Sequence, residues 1–377
     1  MISWEYICLF LAIGYALLIL IYFVGWLLIR ERKKLVQTEP KNKFTILIPA
    51  RNEAEQIGAC LNDILKQNYP PNLFEIVVIN DHSTDTTEAI IREWMGKENG
   101  AGIILINSSE MQVNGKKESI SMAIELANNP YIILTDADCT RGKNWLQSID
   151  SYLQEKSVKM LYAPVCFGAN NVFEKIQSLE FAGLVGIGGA AIRLKNPNMC
   201  SAANLIFTKE AFLSVNGYQD NAHIASGDDE FLLHKIFKKF PNEVFFLKDK
   251  EAIVYTSPNA SVEQLSQQRR RWVSKSTKYE ERYITAILVG AYFYNLSMLL
   301  NFVLGFFMPG FFFILGIQLG IKILVEGMFL FSVLNFFEQR KLIFLILLAE
   351  PFHILYVIII GIWANTQTYT WKERELK

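Results

Sequence analysis

Carboxylate side chains follow two predicted strands of this sequence, at the points where those strands end. Asp81 comes directly after the apolar run from Phe74 to Asn80, and Asp136 and Asp138 come after Tyr131 to Thr135. A helix cap requires only one side chain, so capping does not account for two carboxylates in such close succession. Two carboxylates of this kind can bind a hard divalent cation, Mg²⁺ or Mn²⁺, that also takes oxygen ligands from a phosphate group. The spacing therefore predicts metal-assisted phosphate binding.

These carboxylates must be positioned by an alternation of strands and helices that begins at residue 44. The predicted strands are Phe44 to Pro49, Phe74 to Asn80, Gly102 to Ile106 and Tyr131 to Thr135, and the predicted helices are Glu53 to Lys66, a segment from Thr84 onward, and Lys116 to Ala127. Continuous apolar strands between amphipathic helices are typical of a mostly parallel α/β sheet with helices on both faces. Ligands of such sheets bind beyond the carboxyl ends of the strands, where these carboxylates lie.

Two further features of this region narrow the chemistry. Thr84 and Asp85 lie at the start of a predicted helix, so they could either cap that helix or take part in binding. The sequence contains no glycine-rich phosphate loop of the G-x-x-x-x-G-K-[ST] type and no glycine spacing typical of dinucleotide binding. The absence of both patterns argues against kinase, ATPase and dehydrogenase functions.

Apolar blocks on either side of this region indicate membrane spans. Hydrophobic residues make up 51% of the 377 residues, and the segment from Tyr6 to Ile29 has no charge and is long enough to cross a bilayer. A second uncharged block from Tyr283 to Ile321 is broken by Pro309 and Gly310. A third block covers residues 342–364. The predicted organisation is a first span at 1–29, a globular domain at 30–282, about three spans at 283–365, and a tail at 366–377.

The charges that follow the first span predict its orientation. Arg30, Arg32, Lys33 and Lys34 come directly after it, and the positive-inside rule places the globular domain that follows in the cytoplasm. No basic segment or cleavage site marks a removable signal peptide. We therefore expect an integral membrane protein, of a bacterial inner membrane, whose globular domain lies in the cytoplasm. Four spans would leave both termini outside, although the tail at 372–377 is mildly basic.

Composition limits the partners and the redox chemistry. The formal net charge is +0, which gives no reason to expect a nucleic-acid partner. The five cysteines lie far apart, without metal-ligand spacing, and are expected to be reduced thiols.

Two apolar segments have further features: one has amphipathic helical spacing, and the other is a predicted span that contains two charged residues. Residues 173–193 have amphipathic helical spacing and are expected to form a buried core helix, or alternatively a surface against the bilayer that admits a lipid molecule. Lys322 and Glu326 are four residues apart in a predicted span, and ionisable residues at such positions are functional candidates.

Six motifs in order along the chain resemble glycosyltransferase family 2, which has the GT-A fold. They are Pro49-Ala50-Arg51-Asn52-Glu53, Asp81 with Ser83 and Asp85, Asp136 to Asp138, the segment around Ala203-Asn204, Gly227-Asp228-Asp229-Glu230, and Gln268-Arg269-Arg270-Arg271-Trp272. The last motif is similar to the Q-x-x-R-W signature of membrane-integrated members. Gly-Asp-Asp stands where many synthases have Thr-Glu-Asp, which shifts the expectation toward a smaller, non-processive enzyme.

The resemblance implies an inverting, metal-dependent transfer of a sugar from a nucleotide-sugar donor, a UDP-sugar, to a lipid or glycan acceptor. It implies Asp229 as the catalytic base with Asp228 beside it, and Asp138 with Asp136 as ligands of Mg²⁺ or Mn²⁺. The donor-binding residues implied are Pro49, Ala50, Arg51, Glu53, Asp81, Ser83, Asp136 and Lys116; those near the diphosphate or the acceptor are Asn204, Gln268, Arg271 and Trp272.

Two of these motifs also fit simpler structural roles, and the whole chain fits two alternative functions. The acidic cluster at 227–230 could cap the helix that follows it, and the run at 268–272 could be the basic flank of the next span. The alternative enzyme is a processive polysaccharide synthase that also secretes its polymer. A transporter or membrane scaffold with a nucleotide-binding domain is the alternative from another class.

Overall fold

The computed structural model describes residues 4–33, 38–97, 102–109, 116–219, 227–275, 281–363, 369–371 and 374–376. The chain forms two compact units. The α/β unit comprises Ile29–Gly168 and Ala191–Ser257, and the helical unit comprises Met1–Leu28, Ala169–Ala190 and Pro258–Lys377. This division differs from the predicted continuous domain at 30–282, because residues 169–190 and 258–282 belong to the helical unit.

The α/β unit is built on a seven-stranded sheet in the order β3-β2-β1-β4-β8-β6-β9. Its strands are β1 (Phe44–Ala50), β2 (Phe74–Asn80), β3 (Ile103–Asn107), β4 (Tyr131–Leu134), β6 (Met160–Tyr162), β8 (Leu205–Thr208) and β9 (Val244–Phe246). β1 pairs in parallel with β2 and β4, and β2 pairs in parallel with β3. β8 lies antiparallel to β4 and β6. A smaller sheet has the order β5-β10-β7, with β5 (Thr140–Arg141), β7 (Val165–Phe167) and β10 (Val254–Thr256).

Helices surround the seven-stranded sheet, which confirms the predicted α/β class. They are α2 (Ile57–Leu65), α3 (Thr87–Met95), α4 (Lys116–Leu126), α5 (Trp145–Glu155), α7 (Lys209–Ser214) and α8 (Asp228–Lys239), with single turns at Pro71–Leu73, Ala202–Asn204 and Lys250–Ala252. The two central strands β1 and β4 are almost wholly buried, as their continuous apolar sequences require. α2 and α3 begin later than predicted, because the residues before them form hydrogen bonds between loops.

The pairing register brings several chain segments to one edge of the sheet. Since β1, β2 and β4 are parallel, the residues after Ala50, Asn80 and Leu134 emerge at the same edge. The antiparallel strand β8 begins at Leu205, which pairs with Leu134, so the turn before β8 lies at this edge as well. We call this the carboxyl edge of the sheet.

The helical unit contains α1 (Trp4–Leu27), most of α6 (Val172–Arg193), α9 (Val262–Val273), α10 (Arg282–Gly305), α11 (Gly310–Phe336), a 3₁₀ segment at Arg340–Leu345, α12 (Ile346–Trp363), β11 (Tyr369–Trp371) and β12 (Arg374–Leu376). Among the described residues, four helical segments are long and apolar enough to cross a membrane: Trp4–Leu27, Arg282–Gly305, Gly310–Phe336 and Arg340–Trp363. They correspond to the four predicted spans, and Pro309 separates the second from the third. Ala12, Tyr294, Met298, Ile354 and Ile358 form a buried core among them.

Polar side chains are buried between these apolar helices. Lys322 contacts Glu326 at 2.7 Å, as the spacing predicted, and also Glu350 at 2.5 Å. The second carboxylate was not predicted as a partner, because it lies on a different helix. Ion pairs of this kind offset the cost of burying each charge and fix how α11 and α12 meet.

α6 is mostly buried, as the sequence predicted, and it packs against α11 through glycine. A Cβ on Gly186 would be 2.6 Å from Val333 Cγ2 and 2.9 Å from Phe329 Cζ. Only glycine allows the two helices to approach this closely. The amphipathic pattern of 173–193 therefore serves a helix–helix contact inside the helical unit.

Gly186→Ala is expected to destabilise the helical unit by about 1–3 kcal/mol, because the added methyl overlaps a β-branched side chain that has little rotamer freedom in a helix. The measurement is the thermal unfolding midpoint of the purified protein in detergent. Gly290→Ala is the matched control, since nothing lies within 4 Å of its added Cβ. An unchanged midpoint for Gly186→Ala would contradict the close packing.

Candidate active site

The loops after β1 and β2 are bonded to each other at the carboxyl edge. The Asp81 N–H donates to the Ala50 carbonyl at 2.8 Å, and Arg51 Nη1 donates to the carbonyls of Asp81 (2.8 Å) and His82 (3.1 Å). Asn52 and His82 both adopt left-handed backbone conformations, with φ of 50° and 56°. These bonds account for one role of Arg51 and hold the Asp81 carboxylate, which is 3% exposed, in a fixed place.

Ser83 and Asp85 connect the same two loops. Ser83 Oγ accepts from the Asn52 N–H at 3.1 Å, and Asp85 Oδ2 accepts from the Ala54 N–H at 3.1 Å. Asp85 Oδ1 also accepts from the N–H of Thr87, the first residue of α3, at 3.0 Å. The alternative of a helix-end role is therefore correct for Asp85. Burial opposes its ionisation, but the hydrogen bonds from Thr87 and Ala54 outweigh burial and hold the pKa of Asp85 below its usual value.

Asp136 and Asp138 follow β4 at this edge and form the candidate metal site. Ligand atoms of Asp136, Asp138 and Cys139 all lie within 4.8 Å of one another. Thr256 Oγ1 donates to Asp138 Oδ2 at 3.0 Å, which fixes that carboxylate from β10. Burial, and then the charges of Asp138 and Asp136, raise the pKa of the Cys139 thiol well above its usual value. The two carboxylates of this group offer the hard oxygen ligands that suit Mg²⁺ or Mn²⁺.

The acidic cluster opens α8 and is attached to the carboxyl edge. Gly227 precedes the helix with φ of 86°, and Asp228, Asp229 and Glu230 form its first turn. The Ala202 N–H donates to Asp229 Oδ2 at 3.1 Å, and the Glu230 N–H lies 2.9 Å from Asp229 Oδ1. Carboxylates favour a helix N-terminus, so the predicted helix-end role is correct in part. Asp229 additionally holds the turn that leads into β8.

Lys117 on α4 contacts this cluster, with Nζ 3.3 Å from Asp228 Oδ1. Lys116 was the predicted donor-site lysine, and its side chain lies outside the described residues. The contact of Lys117 with Asp228 depends on how α4 and α8 pack, which sequence spacing does not show.

A tyrosine beside the acidic cluster was not identified from the sequence. Tyr218 is buried, and within the described part of the chain its hydroxyl has no hydrogen-bond partner. Burial, and then the charges of Asp228 and Asp229, raise the pKa of Tyr218 well above its usual value. The left-handed Gly217, whose carbonyl accepts from Lys235 Nζ at 2.8 Å, places the ring next to α8. The only sequence signal was the Asn216-Gly217 turn in front of it.

The other residues that were predicted to bind the sugar donor lie at the end of β1 or in the loop that follows it. Pro49 and Ala50 are the last residues of β1. The Glu53 N–H donates to Thr87 Oγ1 at 2.8 Å, so Glu53 belongs to the same connected loops. Their contacts with a donor, and those of Asp81 and Ser83, stay predictions.

Asn204 requires a correction. It is fully buried, its Oδ1 accepts from Trp145 Nε1 at 3.1 Å, and its Nδ2 donates to the carbonyls of Pro164 and Ala252, both at 2.8 Å. Both amide protons are therefore used inside the protein. Asn204 joins three segments beneath the site and has no donor left for a diphosphate or an acceptor.

Gln268, Arg271 and Trp272 lie on α9 in the helical unit. Gln268 Oε1 accepts from Asn259 Nδ2 at 2.9 Å and from Arg269 Nη1 at 3.1 Å. Arg269 is buried, contacts Glu180 at 2.7 Å and lies 4.2 Å from the Trp272 ring centre. The structure therefore adds Arg269 as the residue that organises this motif, and the roles of Gln268, Arg271 and Trp272 toward substrate stay predictions.

The chain matches the family model described as Glycosyl transferase family 2 over residues 45–213. This segment contains β1 to β4, the loops of the carboxyl edge and both carboxylates of the candidate metal site. It ends before the acidic cluster on α8.

Curated relatives resemble the chain over different lengths. The poly(ribitol-phosphate) beta-N-acetylglucosaminyltransferase TarS of Staphylococcus aureus is 27% identical over 113 residues, which are 30% of this chain and 19% of TarS. The chain thus spans only a small part of that relative. The dolichyl N-acetyl-alpha-D-glucosaminyl phosphate 3-beta-D-2,3-diacetamido-2,3-dideoxy-beta-D-glucuronosyltransferase of Methanococcus voltae is 25% identical over 338 residues, 85% of this chain and 92% of that enzyme.

A solved structure shares the fold. The mannosyltransferase PcManGT from Pyrobaculum calidifontis, solved in complex with GDP-Man and Mn²⁺, superimposes with a TM-score of 0.57 at 18% sequence identity. The match covers 96% of this chain and 100% of that one. It supports the GT-A-like architecture of the α/β unit.

Asn204→Ala is expected to destabilise the α/β unit by about 3 kcal/mol, because it leaves the Trp145 N–H and the Ala252 carbonyl without partners and removes one of the two bonds to the Pro164 carbonyl. Thermal unfolding of the purified protein measures this. Asn128→Ala, at an exposed asparagine, is the control and should change stability by about 0.5 kcal/mol or less. Unchanged stability with lost donor binding would instead restore Asn204 as a ligand.

Asp85→Asn is expected to lower stability at pH 7 by about 1 kcal/mol, a modest effect because Asp85 is exposed to solvent. The folded pKa of Asp85 is depressed, so its contribution is present above the unfolded pKa of about 3.9 and is lost as the pH falls through the folded value. Unfolding midpoints of both proteins at pH 7, 5 and 3 should therefore converge at the lowest pH. A constant difference would contradict the role of the charge.

Proposed function

We propose that this chain, whose residues 45–213 match Glycosyl transferase family 2, moves a sugar from a UDP-sugar to a lipid-linked acceptor at a membrane. The enzyme class follows from the family. The donor nucleotide, the acceptor and the membrane location are the proposal. As an enzyme of this family, the chain is not primarily a transporter or a scaffold.

One observation carries the proposal: the carboxyl edge holds three sets of carboxylates on connected segments. Asp81 lies after β2, the pair Asp136 and Asp138 lies after β4, and Asp229 is bonded to the turn before β8. Sugar transfer from a nucleotide needs three such functions, namely a contact for the nucleoside, neutralisation of the diphosphate and a base for the acceptor. In this order along the sheet, Asp81 would contact the nucleoside, Asp136 and Asp138 would serve the diphosphate, and Asp229 would be the base.

The donor would lie across the ends of β1, β2 and β4. The buried Asp81 carboxylate can accept from the N–H of a uracil base, and its position is fixed by the bonds around Arg51. Asp136 and Asp138 would hold Mg²⁺ or Mn²⁺ through their oxygens, and the ion, when bound, neutralises charge on the leaving diphosphate. Thr256 keeps Asp138 oriented for this role.

The base acts on the opposite face of the sugar. Asp229 takes the proton from the acceptor hydroxyl as that oxygen bonds to the anomeric carbon. The bond from the anomeric carbon to the phosphate oxygen breaks, and the electron pair leaves with the nucleoside diphosphate. One bond forms opposite the one that breaks, so the configuration inverts. The N–H groups of Ala202 and Glu230 orient the Asp229 carboxylate. The positive charge of Lys117 balances the negative charge of the neighbouring Asp228.

A lipid-linked acceptor is favoured by the helical unit and by one relative. Within the described ranges, four helical segments are long and apolar enough to span a bilayer. The Methanococcus voltae transferase, whose name specifies a dolichyl-linked phosphate acceptor, aligns with 85% of this chain. An enzyme that carries such helices can act on an acceptor whose lipid stays in the membrane.

The cytoplasmic face of a bacterial inner membrane is the proposed location of the α/β unit. Arg30 and Lys33 follow the first span and support it. Arg32 has a structural role instead of serving only as a positive charge after the span. Its guanidinium is buried in the α/β unit and contacts Asp249 at 3.6 Å and Glu155 at 3.0 Å. It attaches the chain that leaves the span to the domain.

Asp229→Asn is expected to reduce sugar transfer by about 10³-fold, since the amide cannot accept the proton. Nucleotide binding, measured by calorimetry with UDP, should stay near the wild-type value. Asp228→Asn is the matched variant and should lose less activity, because Asp228 contacts Lys117 rather than the acceptor. Equal turnover by Asp229→Asn and wild type would remove Asp229 as the base.

The substrate assignment is tested with membranes that contain the protein and with radiolabelled UDP- and GDP-sugars. The proposal expects label from a UDP-sugar in the chloroform phase after lipid extraction, and none in membranes carrying Asp229→Asn. Label in insoluble polymer would contradict the lipid acceptor and support a processive synthase. Transfer from GDP-sugars alone would contradict the proposed uridine donor.

A further inference from the structure

A buried arginine lies directly behind the candidate metal site. Arg141 is the last residue of β5 and is 7% exposed. Within the described part of the chain, no carboxylate forms an ion pair with its guanidinium, and its Nε and Nη1 have no hydrogen-bond partner. A buried charge without an ion pair is costly, so its presence calls for a compensating role.

The guanidinium is bonded to both ends of the Asp136-Ala137-Asp138 segment. Its Nη2 donates to Thr135 Oγ1 at 3.1 Å and to the Cys139 carbonyl at 2.9 Å, the residues immediately before and after this segment. The same nitrogen lies 3.5 Å from Cys60 Sγ, and this thiol donates to the Asp136 carbonyl at 3.7 Å. One nitrogen therefore restrains the whole segment.

Other contacts keep the guanidinium in place. Its carbon lies 4.8 Å from the centre of the Trp145 ring, and Asn204 fixes the indole N–H of Trp145. The Arg141 backbone N–H donates to Asp63 Oδ2 at 3.1 Å. Contacts of the side chain and of the backbone thus hold Arg141 in place within the protein.

We propose that Arg141 is the positioning residue of the metal site, which holds the backbone of Asp136 to Asp138 so that both carboxylates face one cation. This inference rests on the proposed metal-dependent transfer. Residues behind the ligands of a metal commonly change its affinity by about 10- to 100-fold. Arg141 is such a residue, and it acts through the loop rather than through contact with the substrate.

The two effects of this side chain on a cation have opposite signs. Its positive charge repels the cation, so removing the charge alone would tighten binding. Its hydrogen bonds keep the carboxylates together, so removing the bonds weakens binding. We expect the loss of the hydrogen bonds to outweigh the loss of the charge. Weaker cation binding by the variants would therefore support the positioning role, and tighter binding would contradict it.

The experiment titrates the full-length protein in detergent with Mn²⁺ in the presence of UDP, with free Mn²⁺ followed by electron paramagnetic resonance. Arg141→Lys keeps the charge but does not place a nitrogen at the position of Nη2, so the bonds to Thr135 and Cys139 are lost, and Arg141→Gln loses both the charge and these bonds. Both should weaken Mn²⁺ binding by about 10-fold or more. Excess Mn²⁺ should restore transfer activity to Arg141→Lys. Tighter or unchanged binding by both variants would overturn the proposal.

Two further variants separate the positioning role from a folding defect. Thr135→Val removes one of the bonds to Arg141 without changing the side-chain shape, so it can be tested even if the Arg141 variants do not fold. It should weaken Mn²⁺ binding a few-fold. Wild-type Mn²⁺ affinity of Thr135→Val would overturn the proposal. Arg92→Gln, at an exposed arginine paired with Glu88, should bind Mn²⁺ as wild type does. Wild-type protein that binds no Mn²⁺ would overturn the metal dependence itself, whereas equal binding by wild type, Thr135→Val and both Arg141 variants would overturn only this inference.

Discussion

The parallel pairing of β1, β2 and β4 is the constraint on which the site depends. Parallel strands end at one edge, so residues as far apart in sequence as Asp81 and Asp138 reach the same side of the sheet. The antiparallel entry of β8 adds the turn that Asp229 holds. Without this register, the carboxylates would be ordinary surface acids.

Hydrogen bonds between loops convert this edge into a fixed arrangement. Asn52, Ser83 and Asp85 tie the first two loops together, and Arg141 ties the third to the residues around it. Asn204 then fixes Trp145, on which the Arg141 guanidinium rests. Carboxylates of like charge repel one another, so these bonds are needed to keep them at one edge of the sheet.

The helical unit follows a different rule, because the surfaces of its candidate membrane spans are mostly apolar. Burial of apolar surface therefore cannot specify how the helices meet. Specificity comes from close contact at Gly186 and from polar groups such as Lys322 with its two glutamates. These features explain why the amphipathic segment at 173–193 belongs with the spans and not with the sheet.

Local pattern in the amino-acid sequence was enough to predict the elements that depend on it. Apolar runs predicted the strands, charge-free stretches predicted the four spans, and Asp136 with Asp138 indicated a cation site. Tertiary structure decided which side chains meet: Lys117 contacts Asp228, Asn204 is a structural amide, and Arg141 lies behind the carboxylates. The local order of apolar and polar residues indicates whether a residue is buried or exposed. Which residue of another strand becomes its hydrogen-bond partner depends on strand register and on packing. Partners of that kind are set by the whole fold, so no short stretch of sequence contains them.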